Sequence, residues 1–597
     1  NKRDVDKMKN YKKIISVVLG LLLVLNIAGC TNNEKEEPTT KKEDFDTFIE
    51  KMPNLVLSDD DMNLEFTFQD PSNYGFEEQL LTLPYSNEKS YKKSKKENEK
   101  ILKELRSYDY DKLTDDQKLT YDILEDYLQR TSYQYEYYDL DNSYLGSFVS
   151  FQAQLPLLLS EYTFERQNDL DSYFNMLETS EETFLKYAEI EKKRQEKNSG
   201  LAKNILEKTI EQCQNYTSST DDYLIERINQ RIDNVDFLND EEKNEAKQKN
   251  QELVSVNLKN AYKSLEAQLK QITPTNQDNK GLYSSPKGKE YYEAMLQGRV
   301  GTDMNIKEVK NYLEEKKNKL LQEAITLITE NPELAQVSGF SEIVYSDFTS
   351  TAQTLDYLKT AITEDYPKID NLNYEIITVP DAWKDNFSPA AYLQGKIDAP
   401  IDTPELIYIN GEYSQSLFDT IEHEGYPGHM YQHTYFKQQK NIPTIRYLID
   451  YNGYSEGWAT YVEWNGYKYA PIEDKTVLEY KSLNDRLTSV FVCLMDIGIH
   501  YDGWNYDDYK EYWNQNFGEV SEDSMLEQYN LFLETPTNYL QYYLSGFLFQ
   551  DLYDKAEDKL NDKFSAVKFH DVILSTGPAP FKILEKQVDK YIEKDSK

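Results

Sequence analysis

The chain has 597 residues, and 67 Lys and Arg stand against 106 Asp and Glu, a net charge of −39. That balance excludes a nucleic-acid binder, which needs a basic face to displace counterions from phosphates. It also repels anionic lipid, so contact with a membrane requires a hydrophobic or covalent device. Tyrosine is abundant, at 50 residues, and can build a core although mean hydropathy is −0.77. Three cysteines are too few for a disulfide framework or a thiolate zinc site.

Residues 1–29 read as a lipoprotein signal peptide. Lys2, Arg3, Lys7, Lys9, Lys12 and Lys13 form a basic start. The apolar run Ile14 to Leu25 suits a signal and is short for a membrane span. It ends in Ile27-Ala28-Gly29-Cys30, which resembles a bacterial lipobox with Cys30 as the lipidated first residue. Residues 30–43, mostly TNNEKEEPTTKKE, read as a flexible tether. The folded part is therefore expected outside the cytoplasmic membrane, anchored to its outer face through Cys30. Cys213 and Cys493 are expected as buried free thiols.

After the tether, apolar residues recur at helical spacing. Ile101 to Leu128 has a period near 3.6, and Leu170 to Cys213 and Glu241 to Ile272 are long and amphipathic. Asn239 and Glu242 form a capping pair. The turn-rich stretch Thr273 to Gly288 divides an N-terminal helical half, 44–280, from a C-terminal half, 281–597. Strand-like pieces are few: Tyr374 to Val379, and Glu405 to Asn410 just before a cluster of histidines. The expected fold class is mainly α, with one small sheet in the second half.

The chain has five histidines, and three of them, His423, His429 and His433, lie within positions 423–433. The local sequence is EHEGYPGHMYQH. It opens like the HExxH zinc signature, in which two imidazoles one turn apart hold Zn²⁺ and the Glu between them activates water. Here His423 and His429 are six apart. On a regular helix that leaves them about 120° apart. Both can face one metal only if the helix deforms between them, and Pro427-Gly428 is the pair to deform it. The rival pair, His429 and His433, shares a face at i,i+4 without distortion. Spacing alone does not choose between them.

The stretch HEGYPGHMYQ resembles the HExxPGHxxQ signature of the bacterial "domain of unknown function 885" family, whose members are assigned to the gluzincin-type metallopeptidases. Ser388-Pro389-Ala390-Ala391-Tyr392 and Leu406 to Asn410 are similar to the segments that precede it. Ser455-Glu456-Gly457-Trp458-Ala459 matches an EGWA signature. Arg486 with Asp496-Ile497-Gly498-Ile499-His500 matches R…DxGxH, and Phe569-His570-Asp571 opens the family's ending.

The resemblance implies a large, two-halved helical architecture with a small sheet beside a gluzincin-like active-site helix. It implies His423, His429 and Glu456 as ligands of Zn²⁺ and Glu424 as general base. His433 lies outside the signature, and Glu463 could substitute for Glu456 or support the site. His500 is a candidate for the substrate or oxyanion, and Arg486 for a substrate carboxylate. Tyr542 and Tyr543 fall where the family has a tyrosine before a glycine, and Tyr543 is taken as the oxyanion donor. Leu406 to Asn410 is expected as an edge strand pairing with an extended substrate, with Tyr408 and Asn410 as substrate-binding residues. The function expected is a surface-anchored zinc metallopeptidase acting on short peptides. The alternatives are a non-catalytic peptide- or solute-binding lipoprotein and a metal-binding but inactive relative.

Overall fold

The structure is a computed structural model, and it describes residues 44–597 except 60, 142, 149, 221, 277, 278, 338, 341, 342, 380–383, 385, 386 and 519. The signal peptide, the tether and Cys30 lie outside the described residues. Among those described, no helix is long and apolar enough to cross a membrane. Cys213 and Cys493 are buried free thiols.

The fold is mainly α, as the periodicity requires. The N-terminal helices pack pairwise on amphipathic faces, with Lys259–Leu269 against both Ser180–Glu196 and Lys203–Ser218. Their starts follow local chemistry. Asn239 Oδ1 accepts the backbone N–H groups of Glu241 and Glu242, and the Glu242 carboxylate accepts that of Asn239. The Ile101 to Leu128 run is two helices, Glu88–Leu105 and Asp115–Thr131. Thr114 and Gln117 cap the second reciprocally, which restarts the helix after a turn.

The second half is organised around two closely packed helices, Asn452–Asn465 and Asn538–Leu560. Gly457 lets them approach so closely that a Cβ there would collide with the Ser545 side chain. One hydrophobic core runs from Phe45 to Tyr591. Many of its tyrosines place the ring in the core and the hydroxyl on a buried acid: Tyr292 on Asp496 (2.5 Å), Tyr345 on Asp419 (2.7 Å), Tyr451 on Asp126 (2.9 Å). At Asp496 the phenol stands where a cation would, whereas Asp126 also pairs with Arg130 and Lys582 and Asp419 with Lys481.

Three strands form a mixed sheet in the order β1-β3-β2: β1 Tyr374–Thr378, β2 Ala390–Leu393 and β3 Glu405–Ile409. β3 pairs parallel with β1 and antiparallel with β2. It is therefore the central strand, contrary to the expected edge. A strand hydrogen-bonded on both sides offers no ladder to a substrate. The strand beside the histidine cluster is β2, whose outer edge is free of β3.

Candidate active site

The motif helix does not bulge; it breaks. One helix, Phe418–Glu424, carries His423 and Glu424, and a second, His429–Lys437, begins at His429. Between them run Gly425, Tyr426, Pro427 after a cis peptide bond, and Gly428. The Gly428 N–H donates to the Glu422 carbonyl (3.0 Å), and a Cβ at Gly428 would overlap the carbonyls of His423 and Glu422. Only glycine allows so tight a return. The Trp458 indole N–H donates to the Pro427 carbonyl (2.9 Å), so the EGWA helix holds the break in place. This local path brings His423 and His429 to one point despite their spacing, their rings 4.8 Å apart and edge to face.

Glu456 comes to the same point from the Asn452–Asn465 helix. Ligand atoms of His423, His429 and Glu456, all buried, lie within 4.8 Å of one another. Glu456 Oε2 is 3.2 Å from His429 Nε2 and 3.8 Å from His423 Nε2. Neither contact is aligned as a hydrogen bond, and His423 Nε2 and Glu456 Oε2 have no hydrogen-bond partner among the described residues. Two imidazoles and a carboxylate, buried, converging and unsatisfied, fit a divalent cation such as zinc.

The surroundings orient these donors. His423 Nδ1 donates to Glu463 Oε2 (3.1 Å), which leaves Nε2 free to face Glu456. Ser455 Oγ lies 3.4 Å from His429 Nδ1. Burial alone would lower the His423 pKa, but Glu456 and Glu463 push it up to about 10. Burial would raise that of Glu456, but His429 and His423 hold it down to about 2. His423 and Glu456 thus each favour the charged form of the other.

Glu424 sits beside the donors on the same helix as His423. Its Oε2 accepts the Tyr392 N–H from the outer edge of β2 (2.8 Å), while its buried Oε1 has no hydrogen-bond partner among the described residues. Burial pushes its carboxyl above the usual carboxylate range, against the pull of His423 and His429. A fixed carboxylate with one oxygen held and one free is arranged to accept a proton.

The other candidates fall in different places. Tyr542, not Tyr543, reaches the cluster: its ring stacks on His423 (6.4 Å), and its hydroxyl is raised by burial and then by the neighbouring Glu456 and Glu424. Tyr543 is one residue on along the helix and packs on Tyr539 and Trp464. His500 is fully buried, stacks on Tyr292, accepts the Leu282 N–H at Nδ1 (3.1 Å) and donates from Nε2 to the Phe532 carbonyl (2.8 Å). Neither nitrogen is left for a substrate. Arg486 stands near Tyr467 and Lys468 and does not line the cavity at the cluster. Asn410 donates to the carbonyls of Lys384 and Phe387 (2.8 Å each), a loop-fastening role. Tyr408 donates to Glu161 Oε2 (2.8 Å) across the halves. His433 is directed into the cavity wall rather than the cluster, and burial pushes its pKa down to about 4.

His429, Glu456 and Tyr542 line a cavity of about 600 Å³. Its other walls include Glu65, Glu161, Arg227 and Arg231 from before residue 280, and Tyr392 to Ile397, His433, Asp450 and Gln541 from after it. From the sequence, a deformation is expected at Pro427-Gly428 but not a full break, Tyr542 is named but Tyr543 preferred, and the cavity arginines are missed. The Pro-Gly pair signals the first and the tyrosine-before-glycine position the second, while nothing local marks the arginines.

Comparison with known proteins agrees with the signatures. The family model described as "Bacterial protein of unknown function (DUF885)" matches residues 72–588. The chain belongs to that family. The structure is similar to a "putative lipoprotein" from Colwellia psychrerythraea, at 18% identity and a TM-score of 0.73, over 85% of this chain and 92% of that one. It is also similar to a "putative lipoprotein of unknown function" from Shewanella oneidensis, at 15% identity and a TM-score of 0.58, over 84% and 93%. At these identities the likeness is one of fold. A "putative oligoendopeptidase F" from Bacillus anthracis str. Ames superposes only at a TM-score of 0.31 with 11% identity, over 84% of this chain and 96% of that one, too loosely to support an argument. No curated protein matches the sequence.

Proposed function

We propose that this DUF885 protein is a zinc-dependent peptidase of the gluzincin kind, acting on short peptides outside the cytoplasmic membrane and anchored by a lipid on Cys30. The observation that carries the reading is the meeting of His423, His429 and Glu456, with the half-free carboxylate of Glu424 beside them, at the wall of a cavity that His429 and Glu456 line. His423 Nε2, His429 Nε2 and Glu456 would hold the zinc. When bound, the ion supplies a Lewis acid that polarises a peptide carbonyl and eases deprotonation of water. The rest of the chemistry belongs to the protein. Glu424 Oε1 takes a proton from the attacking water and returns it to the leaving amine, while the Tyr392 N–H keeps Oε2 in place. The Tyr542 hydroxyl, kept protonated by burial and by two acids, donates to the substrate carbonyl oxygen as charge develops there. Glu463 holds the His423 ring in the tautomer that points Nε2 inward. We read segments 44–280 and 281–597 as the two walls of the substrate cleft.

The test is metal content with activity. The zinc-replete chain should bind about one zinc and cleave a peptide library. The His423→Ala/His429→Ala variant should do neither. Equal metal in both proteins, or none in either, would remove the mechanism. Stoichiometric zinc without cleavage of any peptide would leave a metal-binding lipoprotein.

A further inference from the structure

The catalytic cluster uses only one end of the cavity. Another part of the wall is built from Arg227 and Arg231, one turn apart on the helix Asp222–Asn234. The two guanidinium groups share a single carboxylate. Arg231 Nη2 is 3.0 Å and Arg227 Nη2 3.6 Å from the same atom, Glu161 Oε2. Arg231 Nε is occupied by the Ser160 carbonyl (3.2 Å). Glu161 Oε2 also accepts the Tyr408 hydroxyl, so this one oxygen is crowded with donors. Their side chains are 29% and 18% exposed, so both are sheltered while still facing the cavity. Two cations against one anion leave a local excess of positive charge at this point of the wall, in a protein that is otherwise strongly acidic.

Glu165 and Glu375 also line the cavity, so its wall as a whole is acidic, but neither forms an ion pair with Arg227 or Arg231 among the described residues. Lys396 and Glu65 pair with each other (2.7 Å). Asp450 stands by the catalytic cluster, where its carboxyl responds to Glu456 and His429. The only ion-pair partner of either arginine among the described residues is Glu161. A pair of guanidinium forks with spare donors is chemistry that recognises a planar carboxylate.

We infer that Arg227 and Arg231 form a subsite for a carboxylate of the substrate, either the C-terminal carboxylate of a short peptide or an acidic side chain near that end. The inference rests on the peptidase reading and names its substrate class. It also moves the carboxylate-binding role from Arg486, which lies off the cavity, to residues on the N-terminal half. Tyr408 takes part indirectly, by holding the Glu161 that positions both arginines.

The experiment compares three peptides of one sequence on the zinc-replete full chain: a C-terminal acid, its amide, and an amide carrying Glu as the last residue. The acid should be cleaved with a kcat/KM about 10- to 100-fold above the plain amide, the range expected for a hydrogen-bonded charge. In Arg227→Gln/Arg231→Gln the gap should close to about 3-fold or less. Recovery in the Glu-terminated amide assigns the subsite to side-chain carboxylates, and its absence assigns it to the main-chain terminus. Equal cleavage of all three by the wild type overturns the subsite and leaves the peptidase standing. If the wild type binds zinc and cleaves none of them, the peptidase reading fails. Binding of acid and amide to the zinc-loaded chain, measured by calorimetry, then decides the subsite on its own. Should the double variant not fold, Arg227→Gln, the looser of the two contacts, is expected to narrow the gap in part. An unchanged gap in that variant would overturn the assignment.

Discussion

His500 and His570 are as deeply buried as His423 and His429, yet the two pairs are wired in opposite ways. His500 spends both nitrogens on backbone groups. His570 donates from Nδ1 to the Asp365 carbonyl (2.7 Å), pairs at Nε2 with the Tyr461 hydroxyl (3.0 Å) and stacks on Tyr366 at 4.0 Å. Burial pushes both down to about 4, so each is neutral and satisfied. His423 instead faces two carboxylates and keeps an unpartnered nitrogen. A buried histidine that has filled its hydrogen bonds is architecture. One that has been denied them, beside acids, is a site. Both kinds sit in family signatures, so signature membership does not separate them.

Substitutions can break this contrast. The largest effect belongs to the catalytic side. Glu424→Gln should lower kcat by about 10²- to 10⁴-fold while zinc content holds at the wild-type level, read by peptide turnover and elemental analysis. Unchanged turnover would strike Glu424 from the mechanism. Glu463→Gln should weaken zinc affinity by about 10- to 100-fold, measured by competition with a chelator, because it loosens the His423 ring without removing a ligand. On the architectural side, His500→Ala strands the Leu282 N–H and the Phe532 carbonyl, at about 1–3 kcal/mol for each buried group. It should lower the thermal midpoint and leave zinc stoichiometry intact. Loss of zinc in that variant would erase the distinction.

The smallest effect is one of pH. His500 and His570 titrate near 6.5 when unfolded and about 4 when folded. Between those values the unfolded chain binds more protons, so their contribution is fully present above about pH 6.5 and is lost as pH falls toward 4. His500→Gln should flatten the fall of the thermal midpoint across that window. An unaltered slope would mean that His500 is not neutral in the fold.

Much of this was legible beforehand, for physical reasons that differ by element. The helical class follows from apolar periodicity, and the Asn239–Glu242 cap is local chemistry that no distant contact overrides. β1 and β3 announced themselves by runs of branched and aromatic residues. The order of strands did not, because placing β3 between β1 and β2 depends on what packs beside it. The choice between Tyr542 and Tyr543 is a matter of about 100° of helix phase. That phase is set by the close packing of Ser545, on the same helix, against Gly457, which is far along the chain from either tyrosine. The six-residue histidine spacing needed the Gly428 return and the Trp458 tie, a contact across 31 positions. Arg227 and Arg231 look like any solvated helix pair until Glu161 and the cavity are placed against them.

The tyrosine–carboxylate bonds of the core carry one more consequence. An ion pair weakens when dissolved salt screens it, but a neutral hydroxyl bonded to a buried acid offers mobile ions little to screen. By fastening Asp496 with the Tyr292 phenol and Asp141 with those of Tyr91 and Tyr291, the fold binds part of its interior through contacts that brine and fresh water treat alike. A protein with this interior leaves ionic strength to act mainly on its surface, where its excess of negative charge is.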